Sequence, residues 1–344
     1  MSVLVDGTRP SRRHRAARVP PRFDLALSEN PFPPLPSVLR AVHMTLAHAN
    51  RYPEFLPRRL PSLIARHVGV RADQVVVGAG ATGVALQIMQ TLTTPGSEIV
   101  YGAPTFDGYP IMAEMTGVEA VPVPLDAAGN QDLRAMRRAV DRRTALVVVC
   151  RPHNPTGTVL PADELKAFLS DVPSRVTVIL DEAYVEFLGA AEYVDPRELI
   201  AQHPDLLVLR TFSKAYGLAG LRIGYAFGRP ELVARVSKLQ LPFGLSAAAV
   251  AAVAASYAAE PELAARTLRI TEERDALRAA LVARGFAIPR SHANFLYVPG
   301  PGITTVLRRA GIAAKSYPDG SARIAVGDPS ADHAVLQALL THTP

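Results

Sequence analysis

Thr211-Phe212-Ser213-Lys214-Ala215-Tyr216-Gly217-Leu218-Ala219-Gly220-Leu221-Arg222 follows an apolar run, Leu206-Leu207-Val208-Leu209, with the length and content of a short buried strand. One lysine stands between two hydroxyl residues and a glycine-rich turn, and an arginine follows. Where a strand ends and the chain turns, a lysine can be held partly out of water, which makes its amine a usable nucleophile toward an aldehyde. Thr211, Ser213 and Arg222 are donors of the kind that surround a phosphate dianion. The competing reading of so short a motif is a solvated lysine beside a turn.

The surrounding pattern alternates strand and helix. Strands are expected at 75–77, 99–101, 120–123, 146–150, 176–180, 206–209 and 223–227, with helices at 80–92, 108–115, 132–140 and 162–169. This order implies a parallel sheet covered by helices on both faces. Residues 232–239 and 247–284 then read as helical, interrupted near Pro261. After Gly285 the texture changes to short strands (287–289, 294–298, 322–326) and helices (304–310, 332–340), a smaller α+β unit. Near the N-terminus, Ser28-Glu29-Asn30-Pro31-Phe32-Pro33-Pro34 is too proline-dense for a helix. Ser37 is placed to cap a helix through Ala49, and 60–67 is another short helix. The expected division is a basic arm at 1–24 and a segment at 25–70 that contributes to the smaller domain and to contacts between subunits. A large cofactor-binding domain at 71–245 follows, then a connecting helix and C-terminal small domain at 246–344.

A chain of 344 residues suits one large or two ordinary domains, and 49% hydrophobic with 20% charged residues describes a globular core. Much of the net charge of +6 is local, in Arg9, Arg12, Arg13, Arg15, Arg18 and Arg22, so it reads as a solvated arm and not a nucleic-acid surface. The single cysteine, Cys150, excludes an intramolecular disulfide and fits a reducing compartment. It ends an apolar strand and so reads as a buried structural thiol. No apolar h-region marks a signal peptide, and the alanine-rich run 247–255 is too short to span a bilayer. A cytoplasmic protein without membrane or nucleic-acid partners is expected.

Ligands of open parallel sheets bind beyond the carboxyl ends of the strands, and the notable residues cluster there. Gly80-Ala81-Thr82-Gly83 follows a strand and opens a helix, so its free amides suit a phosphate. Asp181 ends a strand in Leu180-Asp181-Glu182-Ala183-Tyr184, and a buried acid needs a partner such as a protonated pyridine nitrogen. Tyr184 and Asn154, the latter in Arg151-Pro152-His153-Asn154-Pro155-Thr156-Gly157, can donate to a phenolic oxygen; His153 reads as a loop histidine without a role. Phe106 sits just after a strand, where a flat ring can stack on a heteroaromatic. Aldehyde, phosphate, phenolic oxygen and pyridine nitrogen occur together in pyridoxal 5'-phosphate (PLP).

Asn154-Pro155-Thr156-Gly157, Asp181-Glu182-Ala183-Tyr184, Ser213-Lys214 and Gly220-Leu221-Arg222 together resemble the fold-type I PLP-dependent aminotransferases. The resemblance extends from Glu29-Asn30-Pro31 to Ala322-Arg323-Ile324-Ala325-Val326-Gly327, and is nearest to the branch of histidinol-phosphate and aromatic amino acid (phenylalanine) aminotransferases. It implies the fold-type I architecture: a mostly parallel sheet sandwiched by helices, with a smaller α+β domain. It also implies that Lys214 carries the cofactor on its amine and shuttles a proton, that Asp181 pairs with the ring nitrogen, and that Asn154 and Tyr184 hold the phenolic oxygen. Phe106 would stack on the ring, while Ala81, Thr82, Thr211, Ser213 and Arg222 hold the phosphate. Tyr52, in Arg51-Tyr52-Pro53, would reach the phosphate of a neighbouring subunit's cofactor, which makes a homodimer with shared sites. Arg323 would clamp the substrate α-carboxylate, with Asn154 and Phe32 also on the substrate side.

The implied reaction transfers an amino group between an aromatic amino acid and 2-oxoglutarate or a similar 2-oxo acid. The alternatives are histidinol-phosphate transamination and another fold-type I reaction such as amino-acid decarboxylation. Two departures bear on substrate. Gly78-Ala79-Gly80-Ala81-Thr82 lacks the acidic residues frequent in histidinol-phosphate enzymes and looks more like the phenylalanine type. Arg151 and His153 replace the usual asparagines, which is expected to reshape the outer edge of the cofactor site.

Overall fold

Successive side chains of a strand point to opposite faces of its sheet, and in this chain both directions lead into apolar core. The computed structural model describes residues 20–340. Arg9, Arg12, Arg13, Arg15 and Arg18 of the basic arm lie outside the described residues. In chain order the elements are β1 (Phe23–Asp24), α1 (Pro36–Leu46), α2 (Arg59–Val68), β2 (Val75–Ala79), α3 (Gly80–Leu92), β3 (Glu98–Ala103), α4 (Gly108–Thr116) and β4 (Glu119–Pro124). There follow α5 (Leu133–Ala139), β5 (Thr144–Cys150), α6 (Ala162–Asp171), β6 (Thr177–Asp181), α7 (Pro196–Gln202), β7 (Leu206–Thr211), β8 (Ile223–Gly228) and α8 (Pro230–Ser237). The remainder are α9 (Ala247–Tyr257), α10 (Glu260–Val282), β9 (Phe295–Val298), α11 (Ile303–Arg309), β10 (Ile312–Ala313), β11 (Lys315–Ser316), β12 (Ala322–Ala325) and α12 (Pro329–Leu340).

The central sheet runs β2-β8-β7-β6-β5-β3-β4. Its strands are parallel except β8, which is antiparallel to both neighbours. Along β5, Val147 and Val149 join a core with Leu60, Phe168 and Val253, while Leu146, Val148 and Cys150 join another with Ile88, Met112 and Val233. Each such side chain, fully buried, contributes about 1.5–3 kcal/mol, so the sheet is held from both faces. The same alternation aims the site. At the ends of β6 and β7, Asp181 and Thr211 share the face of Ile179 and Leu209, toward α3 and α4. Glu182 and Arg210 take the other face, where they form a buried ion pair at 2.7 Å.

A second, antiparallel sheet, β11-β12-β9, packs with α10, α11 and α12 around Leu277, Leu307, Ile324 and Val335. The short parallel pair β1–β10 joins the N-terminal segment to it. Two local expectations are corrected. Helix α1 starts at Pro36, whose fixed φ suits the first turn; Leu35 precedes it without a side-chain cap, Ser37 lies inside the helix, and the helix ends at Leu46 instead of Ala49. Residues 287–289 form no strand, because Arg278 takes the carbonyls of Ile288 and Pro289 that a ladder would use. The helical interruption expected near Pro261 is present, between α9 and α10, and Pro261 itself sits in the first turn of α10. Among the described residues no helix is long and apolar enough to cross a membrane.

Candidate active site

The carboxyl ends of β5, β6 and β7 open into a cavity of about 480 Å³, closed on the far side by β11 and β12 and by residues 26–29 of the N-terminal segment. That volume suits a cofactor-sized ligand. Ala81, Thr82, Phe106, Asn154, Asp181, Tyr184, Thr211, Ser213, Lys214, Arg222 and Arg323 all line it. Residues drawn from positions 81 to 323 are thus brought to one place.

One end of the cavity is built for an anion. No side chain caps α3, so the first-turn amides of Gly80-Ala81-Thr82 are open, and the helix dipole adds positive potential. A Cβ on Gly80 would lie 2.3 Å from Arg222 Nη2, and one on Gly224 would lie 2.1 Å from the Ala81 nitrogen. Only glycine lets the guanidinium and the β8 backbone approach this turn. Arg222 Nη1 donates to the Ala219 carbonyl at 2.9 Å, and Thr211 Oγ1 donates to Ser213 Oγ at 3.0 Å.

At the buried end, the Asp181 carboxylate accepts from the Tyr109 hydroxyl at 2.6 Å and from the Ala183 amide at 3.1 Å. Burial pushes the carboxyl above the usual carboxylate range, and those hydrogen bonds and the Lys214 charge oppose the shift. None of its hydrogen-bond donors, the Cys150 thiol at 4.0 Å included, is a cation, so the acid is left to attract one from the cavity. Burial and the neighbouring carboxylate push the Tyr109 phenol well up, which keeps it a neutral donor. Phe106 lies at the mouth, edge-on to Tyr109 with ring centroids 5.8 Å apart. A Cβ on Gly108 would meet the Phe106 ring at 2.2 Å, so glycine lets the ring lie over the start of α4.

Lys214 Nζ lies 2.9 Å from Ser28 Oγ, 3.1 Å from the Ser28 carbonyl and 5.5 Å from the centre of the Tyr184 ring. Arg323 is buried; Nη1 donates to Asn154 Oδ1 at 2.7 Å, Nη2 to the Ala26 carbonyl at 2.6 Å, and Nε has no partner. With its oxygen taken, the Asn154 amide has its NH2 to offer a ligand.

Two sequence candidates lie elsewhere. Tyr52 is outside the cavity and 83% exposed, packed on Phe243 at 4.7 Å. Phe32 does not line the cavity either: its ring sits against the guanidinium groups of Arg266 and Arg269 on α10. Arg151 and His153 do not line the cavity; both side chains are buried. Arg151 holds the Leu160 carbonyl at 2.9 Å; burial pushes His153 down to about 3, so it stays neutral beside Thr156. Sequence reading missed Ser28, Tyr109, Asp107, Lys315 and Tyr317. Lys315 pairs in register with Arg323 across β11–β12 and forms an ion pair with Asp107 over the mouth.

Residues 20–340 match the family described as Aminotransferase class I and II. The chain belongs to that family. An aromatic amino acid aminotransferase of Cutibacterium acnes is 42% identical over 319 residues, covering 92% of this chain and 91% of that protein. Another, from Rhodococcus opacus, is 42% identical over 321 residues, covering 92% and 89%. The solved structure of a histidinol-phosphate aminotransferase from Sinorhizobium meliloti, in complex with PLP, superposes with a TM-score of 0.86 at 28% identity, covering 93% of this chain and 90% of that one. The protein is therefore a PLP-dependent transaminase. The aminotransferase's cavity fits that cofactor: open helix amides and Arg222 at one end suit the phosphate, and at the other a buried acid without a cationic hydrogen-bond partner suits a protonated ring nitrogen.

Proposed function

We propose that this aminotransferase exchanges amino groups between an aromatic amino acid of the phenylalanine type and 2-oxoglutarate or a similar 2-oxo acid. The observation that carries the reading is the apolar and aromatic lining that shares the cavity with Arg323, Leu27 and Tyr317 beside Phe106 and Tyr184, in a chain about two-fifths identical to aromatic amino acid aminotransferases. When bound, PLP supplies an electrophilic carbon and an electron-withdrawing ring. Lys214 would hold the cofactor through its amine and, when that amine is free, would move the proton at the substrate Cα. Asp181 keeps the ring nitrogen protonated, with Tyr109 holding the acid in place. Asn154 and Tyr184 donate to the phenolic oxygen, and Phe106 covers the ring. Ala81, Thr82, Thr211, Ser213 and Arg222 take the phosphate, and Arg323 takes the α-carboxylate of either substrate with Asn154 beside it.

The likeness to the Sinorhizobium meliloti enzyme supports histidinol phosphate as a second reading. Beyond Arg323, Lys315 is the cation at the mouth, and Asp107 already engages it. One occupied lysine suits a carboxylate better than a phosphate dianion, which favours the aromatic reading. A substrate panel decides: phenylalanine and tyrosine should outpace histidinol phosphate with 2-oxoglutarate as acceptor, and the reverse order overturns the proposal.

The exposed group of Tyr52, Phe55 and Phe243, with ring centroids 4.7 and 5.1 Å apart, supports a homodimer in which Tyr52 reaches the neighbour's phosphate. In this reading residues 71–245 form the cofactor-binding domain, 246–344 the connecting helix and small domain, and 25–70 a segment that contributes to the small domain and to dimer contacts. A cytoplasmic role in amino-acid biosynthesis completes it.

A further inference from the structure

Ser28 lines the cavity yet has no part in the roles above. It is 1% exposed and holds φ at +49°, a region costly for a residue with a Cβ. Its neighbours keep it there. Asn294, fully buried, donates to the carbonyls of Ser28 and Glu29 at 3.1 and 3.0 Å. Asn30 donates to the carbonyls of Lys214 and Ala215 at 3.0 and 2.9 Å, so the segment is tied to the lysine loop as well as to β9. The result is a hydroxyl 2.9 Å from Lys214 Nζ and 3.1 Å from the Tyr184 hydroxyl.

We propose that Ser28 is a positioning residue: it receives the ε-amine of Lys214 whenever that amine is free, and it couples the amine's protonation to the hydroxyl of Tyr184. The proposal rests on Lys214 being the amine that carries the cofactor. As an ammonium, Lys214 donates to the Ser28 carbonyl and Oγ; the serine proton then points to Tyr184 Oη, whose own proton faces the cavity. As a neutral amine, Lys214 accepts from the serine hydroxyl, and Ser28 Oγ in turn accepts from Tyr184. Between the two states the amine gives up one proton into the cavity; the serine and tyrosine keep theirs, and only their O–H bonds rotate. Tyr184 therefore donates into the cavity when the lysine is charged and turns away when it is not. Asp181 and Tyr184 face the amine, and Glu29, Asp107, Arg222, Lys315 and Arg323 line the same cavity. The strained backbone points the hydroxyl at the gap between amine and phenol.

Three variants of the full-length chain test this. Ser28→Ala removes the hydroxyl and keeps the strained backbone; Ser28→Gly removes both; Ser28→Asn restores a hydrogen-bonding side chain in a residue type that tolerates positive φ. The readouts are the rate at which the cofactor-stripped chain regains visible absorbance with added PLP, and kcat and KM for phenylalanine. Ala and Gly should both lower the recapture rate and kcat about tenfold with KM unchanged, the equivalent of one hydrogen bond to a charged amine, and Asn should restore part of each. Wild-type values in both Ala and Gly overturn the proposal. So does a loss in Ala that Gly repairs, since the effect would then be strain alone. If the wild-type chain itself fails to bond PLP at Lys214, the reading of the lysine fails instead, which separates the two.

Discussion

Tyr109→Phe is the sharpest perturbation of the site, because it deletes one oxygen from a side chain only 1% exposed and leaves the ring in its packing. The phenol is the shortest of three hydrogen-bond donors to the Asp181 carboxylate, at 2.6 Å; the Ala183 amide, at 3.1 Å, and the weak Cys150 thiol donor, at 4.0 Å, remain. A hydrogen bond to a charged acceptor contributes about 1.5–3 kcal/mol, and a buried site admits little water to replace it. The acid then holds its charge less well, and its attraction for a protonated ring nitrogen weakens. Cofactor affinity and the rate of the phenylalanine half-reaction should each fall by about 10–100-fold, while the α-carboxylate site, on the opposite wall, keeps its KM. Cofactor release followed by absorbance, with stopped-flow measurement of the half-reaction, reads both quantities. A folded Tyr109→Phe enzyme with wild-type affinity and rate would refute the assignment of Asp181 to the ring nitrogen.

Arg323→Lys keeps the charge but loses the fork, and should lower kcat/KM for every amino and 2-oxo acid by roughly 10–100-fold; selective loss for one substrate contradicts a shared α-carboxylate site. Lys315→Ala should lower kcat/KM for 2-oxoglutarate about tenfold and leave phenylpyruvate nearly unchanged, since only the former carries a second carboxylate; equal effects on both contradict the role of Lys315 at the mouth. Asp332 is buried with Oδ2 unpartnered, and burial pushes its carboxyl up to about 7. The unfolded chain ionises near about 4 while the folded one keeps the proton to about 7, so stability is lost as pH rises through that window. Asp332→Asn should therefore raise the thermal midpoint by a few degrees at about pH 8 and not at about pH 4, and a uniform shift counts against the buried-acid explanation.

The residues tied to ends of long apolar strands were legible because strand alternation and the carboxyl-end rule fix where such side chains go. Lys214, Asp181 and Asn154 follow from that logic. The antiparallel course of β8 was not read, although its signal was present: 212–222 contains no full helix, and a parallel neighbour needs a crossover of a dozen or more residues. Lys315 was missed because β11 is two residues long, too short for periodicity to register. The turn signal Pro318-Asp319-Gly320 sits between it and Arg323, and a hairpin there would have set the two cations side by side. Tyr109 follows Phe106 by three residues across the turn that opens α4, where its amide donates to the Phe106 carbonyl at 3.1 Å and the two rings meet edge-on. Ser28 had no such signal, since a positive φ is imposed by Asn294 and other partners distant in sequence. Phe32 was misplaced because an extended, proline-rich segment shows no periodicity that tells which side a ring will take.

The central claim is that one amine, on Lys214, bonds PLP. Borohydride reduction of the PLP-loaded enzyme, followed by proteolysis and mass measurement of the peptides, tests it directly. The expected result is a single stable pyridoxyl adduct on the peptide containing Lys214, absent from Lys214→Ala; an adduct on another lysine, or none in an enzyme that turns over phenylalanine, would contradict the account.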